Sequence, residues 1–303
     1  MNRRKFIRNT SLSLLALSVY QPGYSTSVTK KKNRNKIVVG AHVWVYAAKQ
    51  PGIDVSPILS QIFSDLSYAG FDGVEIMEHP LRSEVYTKQI KELSEQHKVK
   101  LIGCSYTGQM WDKTRHNNIY EDVDLIFSNM SLAGGKTFGV TVGTPRGRTK
   151  TEEELDAQAD ILGRIIALGN NRGIILNLHN HTYEVENNLF DLKGTLKRIP
   201  DIGLGPDLNW LLRAGIDPIE FLKEFRKNIV FLHLRDQFSN GKWPESLGEG
   251  NVDFKEIADT LKEISFKGEA IVELAHEQNF MLTRPLRESL KMSRDFMRMK
   301  MGI

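Results

Sequence analysis

The sequence predicts an α/β chain folded as a single (β/α)8 TIM barrel, and three observations predict it. From Lys36 onward, eight short apolar runs alternate with amphipathic helical stretches over about 265 residues, the usual size of such a barrel. The alternation is strict, which requires a parallel sheet whose strands are joined by helices. No GxGxxG follows the first run, so the open dinucleotide-binding sheet lacks its usual mark, and no Pro- or Ser-rich linker divides the body.

The first strand is expected in KIVVGAHVW (36–44), with His42 and Trp44 two apart and therefore on one face. In VSPILSQIFSDLSYAG the apolar residues Ile58, Ile62, Leu66 and Ala69 recur at helical spacing, and Gly70 offers a C-cap. GVEIM (73–77) is the second strand, and SEVYTKQIKELSEQHK repeats the helical pattern through Val85, Ile90 and Leu93. KLIGCSY (100–106) and TFGVTVG (137–143) are the third and fourth strands. TKTEEELDAQADILGRIIALGNNRG reads as a helix with Thr149 or Thr151 as N-cap, ending at Gly173. GIILNLH (173–179) and IGLGPD (202–207) follow as strands. DPIEFLKEFRKN opens a helix at Asp217 with Pro218 in the first helical position, where a missing N–H does no harm. IVFLHLR (229–235) and EAIVELA (269–275) are the last strands, with helices in VDFKEIADTLKEISFKG and TRPLRESLKMSRDFMRM.

At 40% hydrophobic and 26% charged, the 303 residues have the composition of a soluble globular chain. The formal charge of +4 owes much to Arg3, Arg4, Lys5, Arg8, Lys30, Lys31, Lys32, Arg34 and Lys36. The rest of the chain is near neutral or slightly acidic, without the basic footprint that nucleic acid requires. Residues 1–25 read as a targeting segment: MNRRKFIRN is basic, and LSLLALSV (12–19) falls far short of the roughly 18 to 20 apolar residues that span a membrane. The string Arg3-Arg4-Lys5-Phe6-Ile7 resembles the twin-arginine export motif, which predicts a periplasmic or envelope location and no transmembrane span in the mature protein. Residues 26–35 are polar and Lys-rich, a linker ahead of a barrel over 36–303. Cys104 stands alone, which excludes an intrachain disulfide and a cysteine-cluster metal site.

Chemistry-bearing residues gather at the ends of the last four strands: His179, Asp207, His233 and Glu273. A parallel barrel places such residues around its open mouth, and imidazoles converging with carboxylates suit one divalent ion, be it Mn, Mg, Co, Ni or Zn. His181 lies two residues beyond His179, on the same side of an extended segment, as a candidate general base, ligand or support. Glu184 could orient His181 or hold a hydroxyl. Trp210 suits the apolar face of a sugar ring, and Arg235 could clamp a substrate oxygen. Glu75 and His42 on early strands, and Glu249 in LGEG, complete the candidate substrate contacts.

GFDGVEI (70–76), LHNHTYEV (178–185), GPDLNWLLRAGIDPIEFLKEF (205–225), IVFLHLRD (229–236), LGEGNVDF (247–254) and FKGEAIVEL (266–274) occur in an order and spacing that resembles the xylose-isomerase-like barrel superfamily, the sugar phosphate isomerases and epimerases. The resemblance covers roughly residues 37–300 and implies metal-dependent chemistry on a sugar or polyol. That group spans ketose epimerases, hydroxypyruvate isomerase, inosose and dehydroshikimate dehydratases, and lyases of 3-keto-glucosides. In the epimerases Glu, Asp, His and Glu hold the metal, and the two glutamates act as opposed bases. Asp207, His233 and Glu273 match the last three, whereas His179 stands at the place of the first glutamate.

The expected reaction is therefore enolisation of a keto-sugar or keto-glycoside, with His181 or Glu273 removing the proton, followed by elimination, since elimination needs only one base. Isomerisation or epimerisation is the alternative, and a non-catalytic carbohydrate-binding barrel is the non-enzymatic one. A metal-cluster hydrolase is disfavoured by the lack of further His and Asp ligands and of a basic groove. The expected partner is a small carbohydrate; self-association into a homo-oligomer stays open.

Overall fold

The computed structural model describes residues 37–303, so the targeting segment (1–25) and the linker (26–35) lie outside the described residues. The strands are β1 (Val39–His42), β2 (Gly73–Met77), β3 (Lys100–Thr107), β4 (Thr137–Thr141), β5 (Ile175–Leu178), β6 (Gly203–Leu204), β7 (Phe231–Leu234) and β8 (Glu269–Val272). They pair in parallel in the order β6-β5-β4-β3-β2-β1-β8-β7. Parallel bridges Leu204–Ile229 and Asp207–His233 bring the two edges together. There the Val230 N–H donates to Leu204 O at 2.9 Å and the His233 N–H to Pro206 O at 3.0 Å, nearly closing the barrel. Each of the eight expected runs coincides with a strand.

The helices on the outside are α1 (Trp44–Ala47), α2 (Leu59–Ala69), α3 (Glu84–His97), α4 (His116–Ala133), α5 (Glu152–Asn170), α6 (Thr182–Arg198), α7 (Leu208–Arg213), α8 (Pro218–Glu224), α9 (Phe254–Glu263) and α10 (Leu286–Phe296). Gly70 ends α2 at φ 79°, a conformation that only glycine adopts without strain. Thr151 caps α5 in a capping box with Glu154, a device that stabilises a helix by about 1 kcal/mol. Two expectations change. Trp44 does not share the strand face with His42, because the chain turns into α1 directly after Val43. The helices α4 and α6 also escaped the sequence reading; in α6 the left-handed residues Asn187, Asn188 and Leu189 interrupt the helical period.

Alternation along each strand sorts the barrel interior into layers. Ile102, Phe231 and Ile271 form a small apolar plug inside the ring. Gly40 makes room for it: a Cβ there would stand 2.4 Å from Ile102 Cδ1. Two residues further up their strands from Phe231 and Ile271 come His233 and Glu273, and from Gly40 and Gly73 come His42 and Glu75. The plug thus gives way to a polar layer by strand geometry alone.

Candidate metal centre at the barrel mouth

His179, His233 and Glu273 each offer a ligand atom, and the three atoms lie within 4.8 Å of one another. His233 is fully buried and held on both sides. Its Nε2 meets Glu75 Oε2 at 2.5 Å, and its Nδ1 meets His179 Nδ1 at 2.7 Å. Burial opposes a charge on His233, yet the Glu75 carboxylate outweighs it and pushes the pKa up to about 9. The imidazolium then donates from both nitrogens, and His179 accepts. Burial and the neighbouring His233 charge hold His179 well below the usual histidine range, so it stays neutral. A proton between two imidazole nitrogens, with Glu273 Oε2 at 3.8 Å from His233 Nδ1, marks a place suited to a cation. Two imidazoles and one carboxylate fit a borderline divalent ion and leave positions open for substrate.

Asp207, expected as a fourth ligand, is not among these three residues, and its oxygens have partners of their own. Oδ1 accepts the backbone N–H of Asn209 at 2.8 Å and of Trp210 at 3.3 Å, capping α7, and Oδ2 accepts from Arg235 Nη2 at 3.1 Å. The same Arg235 nitrogen donates to Glu273 Oε1. Burial raises the carboxyl pKa of Asp207, and repulsion from Glu273 adds to that. Burial acts on Glu273 as well, but Arg235 together with His42, His233 and His179 outweighs it and keeps Glu273 ionised far below the usual range. Arg235 and Trp210 lie side by side next to this group: the guanidinium carbon is 5.4 Å from the Trp210 ring and 5.1 Å from the Trp243 ring.

His181 is the accessible imidazole, with its side chain 35% exposed. Its ring stands 5.2 Å from that of His179 and 5.4 Å from that of Trp210. Burial opposes its charge, but Glu184 prevails and raises its pKa. Glu184 is not free to meet a substrate: Oε1 accepts the Val142 N–H at 3.0 Å and Oε2 the His181 N–H at 2.6 Å. It supports His181 instead. Glu249 is not brought to the cluster either. It accepts the Ser246 N–H at 2.9 Å and pairs with Arg284, tying together two loops. His42 reaches the cluster, 4.0 Å from Glu273 Oε2. Its Nδ1 accepts the Trp44 N–H at 3.0 Å and its Nε2 donates to Ser105 Oγ at 2.8 Å, so it is a neutral wall. Glu75 lies beneath the site, fully buried, as the partner of His233.

Sequence reasoning missed Trp243, Tyr183 and Asn177. Trp243 lies in the loop after β7, its ring 5.9 Å from that of Trp210, and its Nε1–H donates to Asn209 Oδ1 at 2.9 Å. A lone tryptophan between Gly241 and Pro244 in a polar loop was the available signal. Tyr183 stacks on His181 with ring centroids 5.5 Å apart. Asn177 points inward from β5, fully buried, with no partner for either side-chain polar atom.

A family model described as the xylose isomerase-like TIM barrel matches residues 63–298. Among curated proteins none matches. Solved structures share the architecture. A sugar phosphate isomerase/epimerase from Parabacteroides distasonis superposes with a TM-score of 0.68 at 17% identity, covering 86% of this chain and 93% of that one. A D-allulose 3-epimerase from Methylomonas sp., in complex with D-allulose, gives 0.71 at 15% identity over 88% and 98%. A 3-keto-D-glucoside 4-epimerase from E. coli gives 0.68 at 17% identity over 86% and 100%. At these identities the likeness shows the fold.

Proposed function

The chain belongs to the xylose isomerase-like TIM-barrel family, and from that premise we propose that it is an enzyme removing the proton next to the carbonyl of a keto-sugar. The convergence of His179, His233 and Glu273 at the mouth carries the reading. These three residues would hold one divalent ion, which when bound supplies Lewis-acid polarisation of the sugar oxygens.

The chain's own groups do the rest. His181 takes the proton in its neutral form. Its contacts with Tyr183 Oη (3.4 Å) and Glu184 Oε2 (3.6 Å) lie on Nδ1, leaving Nε2 to face the substrate. The C–H electron pair becomes the carbon–carbon double bond of the enolate, and the C=O π pair moves onto the carbonyl oxygen. Glu273, held ionised by Arg235, is a second proton acceptor on a different wall, with no hydrogen bond to Oε2 among the described residues. Return of that proton by His181 to the neighbouring carbon gives an isomer; an epimer results when ionised Glu273 takes the proton and the His181 imidazolium delivers one to the opposite face. Trp210 and Trp243 offer ring faces to the sugar's apolar side. The solved epimerases of similar fold support this outcome.

Elimination is the second reading, and His179 favours it. An imidazole stands at the place of an expected base, and a single base suffices when a leaving group adjoins the enolised carbon. NMR in deuterated water tests both, using D-allulose, D-fructose and a 3-keto-glucoside with Mn or Co supplied. Deuterium beside the carbonyl together with a new stereoisomer supports epimerisation, and release of the aglycone supports elimination. Absence of exchange in every sugar overturns the reading. We also propose export through residues 1–25, which cell fractionation of the full-length chain tests.

A further inference from the structure

Arg235 uses one of its three nitrogens. Nη2 donates to Asp207 and to Glu273, while the buried Nε has no partner and Nη1 makes no hydrogen bond among the described residues. A guanidinium carries five N–H donors, so three of them face no acceptor among the described residues. The Trp210 Nε1–H beside it is also buried and unpartnered. A cluster of buried donors without acceptors is costly unless a ligand brings the acceptors. The group is also rigidly placed. Two indoles flank it, Trp243 is fixed by Asn209, and Asn209 Nδ2 donates to Gln237 Oε1 at 2.8 Å.

We propose that Arg235 is a second electrophile of this site: it withholds Asp207 and one oxygen of Glu273 from the metal, and it turns its free N–H edge toward the substrate oxygen that gains negative charge. The proposal rests on the enolisation reading and adds a fixed organic cation to it. Asp207 then serves to aim Arg235 and cap α7 rather than to ligate. The rival account makes Arg235 a strut that holds two carboxylates in place for the metal. The two accounts differ in sign. A competitor for the carboxylates weakens metal binding, so its removal tightens it; a strut does the opposite.

The test uses metal-stripped full-length protein carrying Arg235→Met or Arg235→Lys, with thermal melts as the check on folding. Calorimetric titration with Mn and the visible spectrum of the Co-loaded protein read the metal; turnover of D-allulose and a 3-keto-glucoside reads the chemistry. For Arg235→Met the expectation is Mn binding tighter by about tenfold or more, with a changed Co spectrum as Asp207 joins the donors. With it kcat should fall roughly 100- to 1000-fold while KM moves little. Arg235→Lys keeps the charge, so Mn affinity stays near wild type, yet it lacks the planar edge and kcat still falls. Weaker Mn binding in Arg235→Met, or an undiminished kcat in both variants, overturns the proposal. If the wild type enolises none of these sugars, the functional reading fails, and the metal titration still decides between competitor and strut.

Discussion

Two buried polar clusters flank β5, and they are built on opposite rules. Outside the barrel, between α5 and α6, Lys150 donates to Gln158 Oε1 at 2.6 Å and pairs with Asp191. Gln158 Nε2 donates to Asp191 Oδ1 at 2.8 Å and to Thr195 Oγ1 at 2.7 Å, and Thr195 donates onward to Asp191 O at 3.0 Å. Every side-chain polar atom of this network has a partner. Inside the mouth, Glu75 Oε1, both polar atoms of Asn177, Trp210 Nε1 and Arg235 Nε have no partner, and three carboxylates crowd the imidazoles of His42, His179 and His233 and one guanidinium. Burial of polar groups is common to both clusters. Completeness separates them: a satisfied network is an end in itself, whereas an unsatisfied one is finished by something that enters.

That contrast predicts opposite responses to mutation. The largest effect belongs to the mouth. Glu273→Gln keeps the shape but removes a ligand charge and a proton acceptor, and kcat should fall about 10,000-fold, equivalent to about 5.5 kcal/mol. Its melting temperature should fall as well, because buried Arg235 loses the carboxylate it pairs with. Deuterium exchange and a thermal melt read the two quantities; an undiminished kcat in the folded variant would break the comparison. Next comes the satisfied network. Lys150→Met strands a buried Asp191 and should lower stability by about 3–5 kcal/mol in urea unfolding while kcat of the folded enzyme is unchanged. Adding Asp191→Leu should return most of that loss, since a buried ion pair is often replaceable by apolar packing.

The sequence showed the architecture well and the division of labour poorly. Strand runs such as IVFLHLR and EAIVELA announce themselves by composition, and alternation within them already places Phe231 and His233, or Ile271 and Glu273, on one inward face. The mouth residues His179, His233, Glu273 and Arg235 follow from the same rule. What alternation cannot tell is which atom of a side chain is taken. The sequence offers Asp207 as a ligand, Glu184 as support for His181 or a hydroxyl contact, and Glu249 as a substrate contact; each is held by backbone N–H groups, and Asp207 and Glu249 by an arginine too. The caps are local, as where Asp207 accepts from Asn209, but the arginine pairings link positions far apart in sequence, such as Arg284 to Glu249, and no local pattern records those. Trp243 escaped for a related reason: it reaches the site from a loop with no periodicity.

Glu75 sharpens the comparison because it belongs to the mouth without touching the outside. By accepting from Nε2 it leaves Nδ1 as the nitrogen His233 turns to the cation site. Glu75→Gln should weaken Mn binding about 10- to 100-fold, the usual cost of losing a carboxylate behind a ligating histidine. Stability at neutral pH should fall, because the buried His233 imidazolium loses the carboxylate that holds its proton. Titration calorimetry and a thermal melt on the same sample separate the two; lower stability with unchanged affinity would move Glu75 into the company of Lys150.

The smallest effect should come from the rim. Trp243 stacks on Arg235 at 5.1 Å and on the exposed Arg213 at 4.6 Å, and partly exposed cation–π contacts are worth about 0.5–1 kcal/mol. Trp243→Leu removes both contacts and the hydrogen bond to Asn209, so KM for a keto-sugar should rise roughly three- to tenfold. Trp243→Phe keeps a ring face and should show less than half of that in free energy. If instead Trp243→Leu abolishes turnover, the ring is holding Arg235 in register rather than merely receiving sugar, and the unsatisfied cluster extends one residue further into the loop than its hydrogen bonds indicate.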